Sequence, residues 1–112
     1  MRADVLKGHL DGLLLATLEA GPRHGYGIAD ALRTGSGGRV DLPTGTVYPA
    51  LRRLETAGLV AGTWSTVAGR RRRTYELTAA GRAALGEQRS AWQEFSRTVN
   101  ALLGGGAWPA TT

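Results

Sequence analysis

Near the C-terminal end, Leu85, Gln88, Trp92, Phe95, Val99 and Leu102 recur at intervals of 3, 4, 3, 4 and 3. That is the a/d seam of a heptad repeat with one polar member. Thr78 is an N-cap candidate, and a helix from there to about Leu103 would be roughly 35–40 Å long at 1.5 Å per residue. Position 81 is Gly, so the reciprocal Glu of a capping box is absent. Fewer than 80 residues precede this helix, too few to cover it. The seam therefore calls for a second copy of itself. The expected dimer interface is Leu85, Trp92, Phe95, Val99 and Leu102 in a two-fold homodimer.

The preceding residues are cut into short elements by Gly and Pro. Leu10, Leu13, Leu14 and Leu18 lie at helical spacing until Gly21-Pro22 ends the run. A second helix is expected from His24 to Arg33, with Ile28, Ala29 and Leu32 on one face, before TGSGG breaks the chain. Val47, Leu51 and Leu54 form the apolar stripe of a third helix, and Gly58 with Leu59 fits a Schellman-type stop. Its start is ambiguous. A Thr46 cap places Pro49 at the third helical position, where a missing N–H has no consequence, whereas a Thr44 cap implies a distorted first turn. Leu59 to Ser65 and Arg73 to Leu77 then read as two strands, rich in Val, Thr, Trp and Tyr, joined by TVAGRRR with Gly69 near the tip.

The chain is thus expected to be mainly α with a small β-hairpin: a winged helix-turn-helix domain over residues 1–77, one long C-terminal dimerisation helix over 78–103, and a disordered Gly-rich tail over 104–112. With 112 residues, 42% of them hydrophobic, one core is the natural size.

The net charge of +5 and pI near 10.7 are concentrated in one segment. Six arginines (Arg52, Arg53, Arg70, Arg71, Arg72 and Arg73) face the single acid Glu55 between positions 52 and 73, while the other eight basic residues balance the other eight acids. Adjacent like charges repel unless a polyanion lies close, and in a winged helix the third helix enters the major groove while the wing follows the neighbouring backbone. The expected DNA-binding residues are Thr44, Thr46, Tyr48, Arg52 and Arg53 on the third helix and Arg70 to Arg73 at the wing. Arginine suits guanine edges, and the hydroxyls suit phosphates or bases. About six neutralised phosphates per protomer would give a log–log salt slope near −5.

Other chemistries are poorly served. There is no cysteine, so disulfides and thiolate metal sites are excluded and a reducing cytoplasm fits. The two histidines, His9 and His24, belong to no HExxH, and there is no Walker lysine motif and no Gly-x-Ser-x-Gly. The glycines of GPRHGYG follow no strand as a phosphate loop would. An enzyme, a cofactor and a metal are therefore not expected. LLLATL is too short for a signal core followed by a cleavage site and is flanked by Asp4 and Asp11, so neither export nor membrane insertion is expected.

GPRHGYGI, TGTVYPALRRLETAGLV and GRRRRTYELTAAG, in this order and spacing, resemble the PadR-like transcriptional regulators across nearly the whole chain. The resemblance implies a dimeric winged-helix repressor. The single C-terminal helix is similar to that of a small subgroup that includes multidrug-sensing members. In that subgroup a tryptophan of the last helix pairs across the dimer and sandwiches flat aromatic ligands, and Trp92 lies at the matching distance from Leu77-Thr78. By the same resemblance Asp11, Leu15, Gln88 and Ser96 would line the central pore. Ser96 stands where the drug-binding relative has an acid, and Arg89 where it has an aromatic, which argues against cationic drugs.

The function expected from sequence is a homodimeric repressor on a pseudo-palindromic stretch of double-stranded DNA, modulated by a small aromatic effector at the dimer interface. The alternatives are a winged-helix dimer serving as a protein-interaction module and a DNA-binding regulator with no effector.

Overall fold

A computed structural model describes Leu6 and residues 8–104. The element order is α1 (Leu10–Thr17), β1 (Arg23–His24), α2 (Gly25–Gly35), α3 (Thr44–Thr56), β2 (Val60–Val67), β3 (Arg70–Leu77) and α4 (Ala79–Leu103). Three short helices surround a core built from Leu14 and Leu15 of α1 with its C-cap Leu18, Ile28 of α2, and Val47, Leu51 and Leu54 of α3. Val60, Tyr75 and Leu77 close that core from the sheet. The expected stripe of α3 is thus the face that packs inward, and the fold is the winged helix anticipated from the element order.

Three local features depart from expectation. The sheet has a third strand: β1 pairs antiparallel with β3, aligning Arg23 with Tyr75 and His24 with Thr74, so the order is β1-β3-β2. Two residues carry no period that a sequence could reveal, and His24 serves twice, since its Nδ1 also accepts the Gly27 N–H at 3.1 Å and caps α2. Next, α3 is preceded by Pro43 as its N-cap, with no side-chain cap, so neither threonine fills that role. Pro43 instead accepts the N–H groups of Thr46 and Val47 at its carbonyl, and Pro49 lies inside the helix, one turn beyond the first free N–H groups.

The hairpin also differs. Its strands extend through Val67 and from Arg70, leaving only Ala68 and Gly69 as the turn, with φ of 53° and 77°. Two consecutive positive φ values mark the tight hairpin turn whose twist matches that of the strands. All four wing arginines are therefore strand residues, with Val67 opposite Arg70 and Trp64 opposite Arg73.

The join between wing and α4 is tight. Thr78 caps α4 by accepting the Gly81 N–H at 3.0 Å, and its hydroxyl donates to the Gly58 carbonyl at 2.6 Å. A Cβ at Gly81 would lie 1.9 Å from the Leu59 carbonyl oxygen. Backbone passes there with no room for a side chain, which explains why the capping-box acid is missing. Past this point only Leu85 of α4 is buried, in the protomer's own core at 5% exposure. That corrects its expected place at a dimer interface. Trp92, Phe95 and Leu102 are exposed and Val99 is half-buried. Apart from Gly104, the expected tail lies outside the described residues.

Candidate nucleic-acid interface

With 3.6 residues per turn, the α3 face opposite Val47, Leu51 and Leu54 carries Gly45, Pro49, Arg52 and Thr56. All four are exposed, as is Thr44 in the first turn. Arg52 is where the sequence placed it, on the outward face. Thr46 and Tyr48 sit on opposite flanks and are half-buried. The Tyr48 ring lies over Gly25, where a Cβ would come within 2.5 Å of it, and meets Tyr26 edge-on at 6.4 Å. Burial, with smaller contributions from Tyr26 and Tyr75, pushes the Tyr48 phenol above its ordinary value. Tyr48 is thus part of the α2–α3 packing more than of the outward face. Tyr26, which sequence reasoning passed over, is 66% exposed beside Thr44.

Two of the six arginines are held by acids. Arg53 donates to Asp11 of α1 at 2.6 Å, tying α1 to one flank of α3. Arg73 pairs with Glu55 on the other flank, the one that faces the wing. Among the described residues no carboxylate pairs with Arg52, Arg70, Arg71 or Arg72.

Strand alternation divides the arginine run between two faces. Arg71 and Arg73 share the face of Tyr75 and Leu77, whereas Arg70 and Arg72 share the opposite face with Val67 and Ser65. On the first face the Arg71 and Arg73 guanidiniums lie 4.7 and 5.3 Å from the centre of the Trp64 ring, close enough for cation–π attraction. Trp64 stands within the wing, 55% exposed. The positive charge that no carboxylate engages thus lies on the outward face of α3 and on both faces of the wing.

The implied effector residues are only partly gathered. An open groove of about 600 Å³ between the start of α1 and the middle of α4 is lined by Gly8, His9, Ala84, Glu87, Gln88, Ala91, Trp92 and Phe95. Trp92 meets His9 edge-on at 5.4 Å and lies 5.8 Å from Phe95, and Gln88 lies across Gly12. Gln88 and Trp92 are therefore together. Asp11 turns to Arg53 instead, Leu15 is 1% exposed within the core and cannot reach a surface ligand, and Ser96 is half-buried outside the groove. Arg89 forms a two-pronged pair with Glu19 at 2.9 and 3.1 Å, and this hydrogen bonding holds the Glu19 carboxyl below the usual range.

Among the described residues no helix is long and apolar enough to cross a membrane. A solved transcriptional regulator from Clostridium thermocellum superposes with a TM-score of 0.80 at 25% identity, covering 89% of this chain and 95% of that one. A PadR-like transcriptional regulator from Bacillus cereus gives a TM-score of 0.79 at 31% identity, covering 91% and 98%. A transcriptional regulator of Mycobacterium tuberculosis is 43% identical over 83 residues, which are 74% of this chain and 62% of that protein, so the match spans less than two thirds of that relative. The family's members are DNA-binding transcriptional regulators and not enzymes. Residues 14–87 match the transcriptional regulator PadR-like family, and with the winged fold and the charged α3–wing surface in place, the chain belongs to that family.

Proposed function

We propose that the protein is a cytoplasmic homodimeric repressor that binds a pseudo-palindromic operator through α3 and the wing of each protomer. The observation that carries this reading is the placement of the surplus positive charge. Arg52 on the outward face of α3 and Arg70, Arg71 and Arg72 on the two faces of the wing carry that charge, while Asp11 and Glu55 are each engaged by an arginine. Thr44, Gly45, Pro49, Arg52 and Thr56 face the major groove, with Arg52 the candidate for a guanine edge. Arg70, Arg71 and Arg72 neutralise phosphates from the two faces of the wing. Arg53, Thr46 and Tyr48 support the helix from its flanks.

Half-sites about one helical turn apart, roughly 34 Å, follow from a two-fold dimer. Gel shift and footprinting on the DNA flanking the protein's own coding region test this. A two-fold protected region with that spacing is the expected result, and a stoichiometric complex with another protein without DNA would replace the reading by a protein-interaction module.

The groove at Trp92 favours a second element of the proposal, an aromatic effector held by Trp92, Gln88 and His9. Such a ligand shifts operator binding only if it prefers one arrangement of the dimer. Planar aromatics titrated against tryptophan emission should quench the wild type more than Trp92→Ala. Equal quenching in both removes Trp92 from that role, because Trp64 and Trp108 also emit, and leaves an effector-independent regulator.

A further inference from the structure

We infer that Arg73 is a positioning residue and not a phosphate contact: with Glu55 it forms a strut that fixes the angle of the wing to α3, and Trp64 splints the neighbouring Arg71 toward the duplex. This deepens the operator-binding reading above and rests on it.

Four observations converge on Arg73. It pairs with Glu55, and both side chains are largely covered, at 26% and 30% exposure. Its guanidinium passes over Gly62, where a Cβ would meet it at 2.6 Å, so the glycine clears the path from β3 to α3. It lies 6.0 Å from the Tyr75 ring and 5.3 Å from that of Trp64, filling the space between core and wing. Its partner Glu55 is the only acid in the positively charged segment. A carboxylate on a DNA-facing surface opposes phosphate, so its presence needs a compensating role. Bridging two DNA-reading elements supplies one, since α3 and the wing must meet the groove and the backbone in fixed register.

Arg71 is placed by the same device. Its guanidinium, 4.7 Å from the Trp64 centre on the wing's α3-side face, is held by a ring that Arg73 also contacts, at 5.3 Å. A pre-set arginine loses less conformational freedom on binding than a free one.

The two roles predict opposite signs for one substitution. Glu55→Ala keeps helix propensity and removes a negative charge. A surface acting only by charge would then bind DNA more tightly, and a freed Arg73 would add a phosphate contact. A strut predicts weaker binding. The probe is a 30-base-pair duplex selected from a randomised library by the wild-type protein, with a scrambled duplex of equal composition beside it.

The expected result for Glu55→Ala is a fall in the selected-to-scrambled affinity ratio of roughly three- to tenfold, with an unchanged log–log salt slope. Arg73→Gln should give a similar loss and also leave the slope unchanged, and the double variant should be no worse than either single one. Tighter or unchanged binding by Glu55→Ala overturns the inference, as does a slope for Arg73→Gln that is shallower by about 0.9, the signature of one lost phosphate contact. If Arg73→Gln does not fold, Glu55→Ala decides alone. Failure of the wild type to select any duplex would instead sink the operator reading itself.

Discussion

Single residues set the limits within which this fold can vary. Alanine is the better helix former by about 1 kcal/mol, so Gly81→Ala looks favourable by propensity. The Leu59 carbonyl, 1.9 Å from the added Cβ, reverses the sign because backbone must move. Overpacking of that kind costs about 1–3 kcal/mol, and urea unfolding should show a net loss of stability. Tyr48 predicts a pH effect. Its folded-state ionisation is raised by burial, so its stabilising contribution is intact below the unfolded phenol value of about 10 and is lost as pH rises through the folded value. Tyr48→Phe should flatten the alkaline fall in melting temperature. Neither constraint is written in local sequence, because each depends on what a distant segment places beside the residue. The stripe of Val47, Leu51 and Leu54 was legible for the opposite reason: one helix face repeats within a few residues.

Elements show the same division. Thr78 as the cap of α4 and the end near Leu103 are local signals and appear where expected. The pairing of β1 with β3 and the Asp11–Arg53 and Glu55–Arg73 ties link positions far apart, so the arginine cluster alone could not reveal which cations are committed within the protein. Two of six are. With Arg52 assigned to a base edge and three arginines left for phosphate, the log–log salt slope should be about −2.7 per protomer, not about −5. Arg71→Ala should make it shallower by about 0.9. The wing turn offers a separate test. Ala68 holds φ of 53°, a conformation costing a non-glycine residue roughly 1–2 kcal/mol and tolerated best by Asn. Ala68→Asn before Gly69 produces the favoured pair for such a turn. It should raise the melting temperature without changing the salt slope.

For the whole molecule the decisive imbalance is between the length of α4 and the domain that covers it. Twenty-five residues make a helix of about 37 Å, yet its buried apolar contact with the rest of the protomer ends at Leu85. Trp92 and Phe95 lie exposed side by side, and Leu102 continues the line. A contiguous apolar strip on an otherwise polar surface marks an association site, and a seam with heptad spacing fits a second α4. Leu85 and Phe95 belong to one sequence repeat but to different bodies, and substitution should separate them. Leu85→Ala opens a cavity inside the protomer and should lower stability by about 2–5 kcal/mol at every protein concentration. Phe95→Glu leaves that core intact and puts charge into the seam. If the proposed dimer forms through this seam, sedimentation should show a dimer for the wild type and a monomer for this variant, whose melting temperature should lose its dependence on concentration. Because one protomer reaches only one half-site, the loss of linkage should also weaken operator binding about a hundredfold or more. Dimers that persist in Phe95→Glu, with operator affinity unchanged, would place the interface elsewhere and leave the exposed face of α4 without this role.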